Sequence, residues 1–207
     1  MDAKLKKRSA ADAQVVRVAQ RVAVQMFRLL TKARDPYENH HGFRTAEMAH
    51  AIGEAVGLDT DQLELLKIAA QIHDLGKLVV PEHVLNKTGR LTKAEITMIH
   101  SHTQLGYEIA GGLQLGKIIE DVIFHHHENQ DGTGYPDELS GERISIHARI
   151  VHITDVYDAL TNIRPYRIAY TPREAIAVLE NESHKFDPHL LSLLRRKVTN
   201  WTTTLGR

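Results

Sequence analysis

The chain has 207 residues, 42% hydrophobic and 25% charged, which suits a globular domain with a core of its own. Its 26 basic and 26 acidic residues cancel, which argues against bulk attraction to nucleic acid or to an anionic membrane. It has no cysteine, so disulfides and thiolate metal sites are excluded and a reducing, cytoplasmic setting is expected, while 14 histidines stand out.

The opening MDAKLKKRSAADAQ is basic but lacks the apolar segment of a secretion signal, and no run approaches the roughly 18 apolar residues of a membrane span. Val15, Val18, Val22, Met26, Leu29 and Leu30 then recur at three- and four-residue steps. They predict a first helix over about residues 10–33, ended by Asp35-Pro36. With Arg17, Arg21, Arg28 and Lys32 beside the stripe, residues 1–34 read as a lead-in helix packed on the bundle, the alternative being a dimerising or signal-transmitting helix. A second helix over about 40–56 stops at Gly57. A third, capped by Thr60 or Asp61, carries Leu63, Leu66, Ala69, Ala70 and Ile72. Gly76 and Pro81 mark the next turn, and Thr92 with Glu95 forms a capping box. Helices follow over about 115–128 and 145–162, the second overlapping an apolar run at 144–153 that also fits a strand. Thr171-Pro172 with Glu174, and Asp187-Pro188 ahead of Leu190, Leu191, Leu193 and Leu194, start the last two. No repeat, low-complexity tract or linker interrupts the pattern. The expectation is one all-α domain of about eight helices over residues 35–200, with a tail over 201–207.

The chemistry begins at IHDLGK, residues 72–77. His73 and Asp74 project about 100° apart on a helix, and both reach one metal pair if that helix lies across the site. Alone, the pair reads by default as a satisfied polar contact. But His41, His102, His126, His127 and Asp155 lie in other helices or helix ends, in mainly apolar surroundings where an unpaired imidazole costs about 1–3 kcal/mol. Helix bundles build metal sites from side chains on facing helices. Imidazole and carboxylate without thiolate suit iron, manganese, nickel or zinc. The stretch HHHENQDGTGYP (125–136) adds a shaped loop: Gly132 and Gly134 free the backbone, Pro136 stiffens the exit, and Asp131 caps or braces the turn beside Tyr135.

These stretches resemble the HD-GYP domain, a branch of the HD phosphohydrolase superfamily. The matches are HGFR (41–44), AAQIHDLGKLVVP (69–81), LNKTGRLTKAE (85–95), HTQLG (102–106), HHENQDGTGYP (126–136), ARIVHITDVYDALT (148–161), RPYR (164–167) and FDP (186–188), in family order. The resemblance implies an HD-type helical bundle around a buried dinuclear metal site. It implies a metal-dependent phosphodiesterase that hydrolyses cyclic di-GMP to linear pGpG, GMP or both by metal-hydroxide attack on phosphorus. The implied metal ligands are His41, His73, Asp74, His102, His126, His127 and Asp155, with Asp74 bridging two divalent ions, iron or manganese ahead of nickel or zinc. Lys77, Tyr135, Arg164 and Arg167 are the implied substrate contacts, and Lys77 with Asp74 the implied catalytic pair. His125, His40 and His100 read as flanking residues, His100 facing elsewhere because it lies about 200° from His102 on a helix. Asp158 reads as a supporting residue.

Two departures matter. Trinuclear members carry a glutamate where this chain has Tyr37, with Glu38 one residue out of register, which favours two metals. Asn129 and Gln130 replace an arginine and an aromatic common in relatives, which bears on substrate and rate. The alternatives are therefore an HD-type hydrolase for another nucleotide or cyclic dinucleotide, or a weakly active nucleotide-binding signalling module. Partner expectations follow the resemblance: a diguanylate cyclase, an adaptor or a second copy, with no DNA and no membrane.

Overall fold

Side-chain caps set several of the helix starts in the computed structural model, which describes residues 14–27, 29–30, 40–162 and 168–205. Helix α1 spans residues 14–27. Helix α2 (His41–Ala55) ends where Gly57 takes φ +84°. Helix α3 (Thr60–Ile72) is capped by Asp59 and not by Thr60 or Asp61: its side chain accepts from the Gln62 amide at 2.8 Å and the Gln62 side chain returns to the Asp59 amide. A 3₁₀ turn over Leu75–Leu78 and a one-turn helix α4 (Glu82–Leu85) follow. Helices α5 (Lys93–His100) and α6 (His102–Gly112) come next, then α7 (Lys117–His125) and α8 (Ile146–Thr161). Helices α9 (Pro172–Asn181) and α10 (Pro188–Leu205) close the chain. The expected boxes at Thr92/Glu95 and Thr171/Glu174 are both formed.

Two expected helix extents are corrected. The segment after Thr92 is two helices, because it breaks at Ser101. The helix expected over 115–128 stops at His125, so His126 and His127 sit in the turn beyond it. The helix expected over about 145–162 is formed and takes up the apolar run from Ile146 onward, started by the Ser145 hydroxyl, which accepts from the Ala148 amide. It reads as apolar throughout because α8 is the central element, packed by α2, α7, α9 and α10 and buried on most sides. Among the described residues there is no strand, only an isolated bridge between Asp131 and Ser140. No described helix is long and apolar enough to cross a membrane.

The core runs between α2, α3, α7 and α8, filled by Ile52, Leu66, Ile72, Ile119, Ile123, Ile150 and Ile153. Helix α6 lies against α7 and the 3₁₀ turn. That contact is backbone to backbone: a methyl at Gly76 would come 1.8 Å from the His102 carbonyl oxygen. Helix α1 turns Gln20, Val24 and Phe27 inward, and the Gln20 amide donates to the Leu115 carbonyl at 2.8 Å. The stripe expected to pack on the bundle is instead exposed at Val15, Val18, Val22, Met26, Leu29 and Leu30. Apolar residues recur on both sides of this helix, and the buried side is the one whose polar Gln20 has a carbonyl to meet.

Candidate metal centre

The ends of four helices converge beside α8. His41 opens α2, and His73 and Asp74 follow α3. His102 opens α6, His126 and His127 follow α7, and Asp155 lies in the middle of α8. Two groups result: Asp74, His102, His126 and His127, and His41, His73 and Asp155. Within each, one nitrogen or oxygen per residue lies within 4.8 Å of all the others. Asp74 faces both groups. Its Oδ2 is 3.3 Å from His73 Nε2, and its Oδ1 is 3.4 Å from His102 Nε2 and 3.9 Å from His126 Nε2.

Each of four imidazoles is anchored through Nδ1. The acceptors are Asp158 Oδ2 for His41 (2.7 Å), the Ala70 carbonyl for His73 (2.9 Å), that of Ile99 for His102 (2.7 Å) and that of Ile123 for His126 (2.9 Å). Carbonyls only accept, so at His73, His102 and His126 Nδ1 carries a proton and Nε2 faces inward, while at His41 both nitrogens face carboxylates. This is the outer-shell arrangement that orients metal-binding histidines. Two inward atoms of the cluster lack hydrogen-bond partners. His73 Nε2 and Asp74 Oδ1 are buried with no hydrogen bond. His102 Nε2 and His126 Nε2 face each other at 3.3 Å, and His41 Nε2 faces Asp155 Oδ1 at 3.0 Å. Such contacts are favourable only with a proton or a cation between them. The donor set is therefore suited to divalent metal ions.

Electrostatics favours the neutral imidazole at three of the histidines and the ionised form of both carboxylates. Burial lowers His126 well below its usual pKa, helped by the neighbouring His127, and brings His127 down to about 3. Burial also lowers His102, against the pull of Asp74. His73 goes the other way: burial lowers it, but the Asp74 and Asp155 carboxylates outweigh that and raise it. Burial works to raise both carboxylates. Yet Lys77 and His73 hold Asp74 well below its ordinary value, and His41 and His73 do the same for Asp155.

Lys77 pairs with Asp74 Oδ2 at 2.6 Å. Tyr135 lies beside the cluster, its ring stacked on His127 with centroids 4.9 Å apart and 28° between planes. Burial and the Asp74 charge raise its phenol pKa, so the hydroxyl stays protonated. Arg164, Arg167 and Tyr37 lie outside the described residues. The loop carrying Tyr135 is tied down at several points. Asp131 Oδ1 accepts from the Thr133 amide and hydroxyl at 3.0 and 2.7 Å, as its expected bracing role requires. Gly134 is needed because a methyl there would sit 2.3 Å from the Asn129 nitrogen.

Several supporting residues escaped the sequence reading. Glu128 is buried, and its carboxylate accepts from the Asp137 and Leu139 amides at 2.7 and 3.0 Å. Arg44 grips Asp158 through Nε (2.7 Å) and Nη2 (2.9 Å). His152 Nδ1 meets the His126 carbonyl at 3.0 Å. Arg44, Glu128 and His152 all fall inside motif stretches, which was the available signal. His125 lies against Asp121 (2.9 Å) and Asp137 (3.4 Å), outside the cluster. His100, expected to face elsewhere, is instead stacked on Tyr135.

With this geometry in hand, comparison with known proteins is informative. A family model described as HD domain matches residues 20–190. The chain is 39% identical over 159 residues to the cyclic di-GMP phosphodiesterase response regulator RpfG of Xanthomonas campestris, covering 74% of this chain and 41% of that one. It is 36% identical over 160 residues to a cyclic di-GMP phosphodiesterase of Pseudomonas aeruginosa, covering 77% and 39%. The chain thus spans about two fifths of the length of these relatives. The fold is similar to the crystal structure of a cyclic GMP-AMP specific phosphodiesterase of Vibrio cholerae, with TM-score 0.64 at 19% identity over 86% of this chain and 49% of that one. Family match, helical architecture and the His73-Asp74 pair agree: the chain belongs to the HD domain family.

Proposed function

We propose that this chain is a metal-dependent phosphodiesterase that hydrolyses cyclic di-GMP to linear pGpG, GMP or both. The observation that carries the reading is the set of four histidines, each fixed through Nδ1 and aimed through Nε2 at two ionised carboxylates, with His73 Nε2 and Asp74 Oδ1 buried among them without a hydrogen bond. His41, His73 and Asp155 would hold one divalent ion, and His102, His126 and His127 the other, with Asp74 shared because its two oxygens face the two groups. Iron or manganese suits this nitrogen and oxygen set. A bound pair supplies an activated water at neutral pH and charge neutralisation at the phosphoryl oxygens.

The chain's own residues do the rest. Lys77, beside Asp74, offers a cation to a phosphate oxygen or a proton to the leaving oxygen. Tyr135 keeps its proton and offers a hydrogen bond at the rim. Arg164 and Arg167 supply forked donors for phosphate. The test is anaerobic incubation of iron- or manganese-loaded protein with cyclic di-GMP. Linear product that disappears in His73→Ala supports the reading; no linear product under either metal overturns it.

A second reading keeps the chemistry and changes the base. The similar fold of a phosphodiesterase named for cyclic GMP-AMP supports it, as do Asn129 and Gln130 in the loop. Parallel kcat/KM values on cyclic di-GMP and 3'3'-cyclic GMP-AMP distinguish the two.

A further inference from the structure

Helix α5 buries none of its side chains, yet its last residue reaches the site. Three successive carbonyls of its final turn are taken by side chains. Met98 accepts from Ser101 at 2.7 Å, Ile99 from His102 at 2.7 Å and His100 from Thr103 at 3.2 Å. Side-chain bonds of this kind compete with the backbone ladder and bend a helix. Here they mark the break between α5 and α6. Across it the His100 ring lies flat on Tyr135, with centroids 3.8 Å apart and planes within 5°. Tyr135 is also stacked on His127, and its ring stands edge-on to His102 at 6.4 Å. Two imidazoles at these separations have no room on one face, so the phenol is held between them.

We infer that His100 is a positioning residue: it clamps the Tyr135 ring against His127, fixing the wall that the substrate meets beside the metal cluster. The inference rests on the proposed phosphodiesterase reading, in which Tyr135 is a substrate contact. The clamp needs the flat face of the imidazole, not its charge. Without it, the outer face of Tyr135 is open to water and the ring is held from one side only. Substrate must then order the ring as it binds, and that cost falls on affinity.

The experiment is a double-mutant cycle on metal-loaded protein with cyclic di-GMP, using His100→Ala, Tyr135→Leu and the double variant, with His100→Phe as the conservative replacement. His100→Ala should raise KM about 3- to 10-fold, the range of one aromatic pair, with kcat within about twofold. His100→Phe should restore KM, because a phenyl ring offers the same face. In the Tyr135→Leu background, His100→Ala should add nothing. A KM increase that persists undiminished in that background, or that Phe fails to restore, overturns the inference. Should the wild-type protein turn over no cyclic dinucleotide, the activity reading fails and the clamp is read separately by NMR. The Tyr135 ring protons should carry an upfield ring-current shift that His100→Ala reduces to the share due to His127 and His100→Phe keeps. Tyr135 resonances unchanged in His100→Ala would exclude the clamp.

Discussion

Asp158 holds the His41 imidazole by its outer nitrogen, Oδ2 to Nδ1 at 2.7 Å, and Arg44 grips the same carboxylate with two donors at 2.7 and 2.9 Å. The inner nitrogen, Nε2, is thereby aimed at Asp155. Removing Asp158 takes away the support and leaves the ligand candidate in place. Asp158→Ala is expected to weaken manganese binding about 10- to 100-fold, the usual cost of losing such a partner. Isothermal titration with the metal measures it, with far-UV circular dichroism to verify the helices. Unchanged affinity would remove Asp158 from the positioning role.

Gly76 tests the backbone contact between the 3₁₀ turn and α6. A methyl there would lie 1.8 Å from the His102 oxygen and 2.6 Å from the Gly106 nitrogen, both backbone atoms that cannot swing aside. Gly76→Ala is expected to destabilise the fold by about 3 kcal/mol or more. It should also weaken metal binding, because Asp74 and His102 flank the contact. Gly89→Ala is the control: open space surrounds that position, and the change should fall within about 0.5 kcal/mol. Urea melts of the two variants give the comparison.

Glu128 fastens the loop that carries Tyr135. Its two carboxylate oxygens each accept one amide, from Asp137 and Leu139. Glu128→Ala leaves both amides without their carboxylate, at a cost of about 1.5–3 kcal/mol per charged hydrogen bond. The expected signature is faster hydrogen exchange at the Asp137 and Leu139 amides, with activity falling more than helix content. Unaltered exchange at those two amides would show that the loop is held by its other bonds.

The pH response follows from the histidines. An unfolded histidine titrates near 6.5, whereas His126 is held well below that value and His127 at about 3. As pH falls through this window the unfolded chain takes up protons that the folded chain refuses, so stability falls, by up to about 1.4 kcal/mol per pH unit per such group. His102, His147 and His152 are lowered too and act in the same direction. His73 and His125 are raised and oppose them: their contribution is complete below 6.5 and fades as pH rises through their folded values. The lowered group is larger, so the Tm of metal-free protein should fall on acidification from about pH 7.5 to about pH 5. Metal binding needs neutral imidazoles and the carboxylates around His73 raise its pKa, so binding should strengthen as pH rises and release protons where His73 is charged. Calorimetric titrations in two buffers of different ionisation enthalpy count those protons; net uptake would contradict the assignment.

How much of this was legible in the sequence varies with the range of the interaction. The boxes at Thr92/Glu95 and Thr171/Glu174 link residues three apart, and both were readable. The start of α3 was missed by one residue because Asp59, Thr60 and Asp61 are all able caps. The apolar run in α8 was ambiguous because a helix surrounded on most sides loses its period. The facing of His100 was misjudged because its premise, an unbroken helix, fails at Ser101, where side chains capture three carbonyls.

By itself the sequence determined the all-α class, most helix starts and the residue types that gather at the candidate centre, because caps, periodicity and motif spacing act over a few residues. Only the tertiary structure decided which nitrogen of each histidine faces inward, that Asp74 looks toward both groups, which side of α1 is buried and where His100 rests. Those outcomes depend on groups far apart in the chain, such as His41 and Asp158, 117 residues distant. An imidazole's orientation is set by the acceptor that packing brings to it, and no local pattern encodes that acceptor.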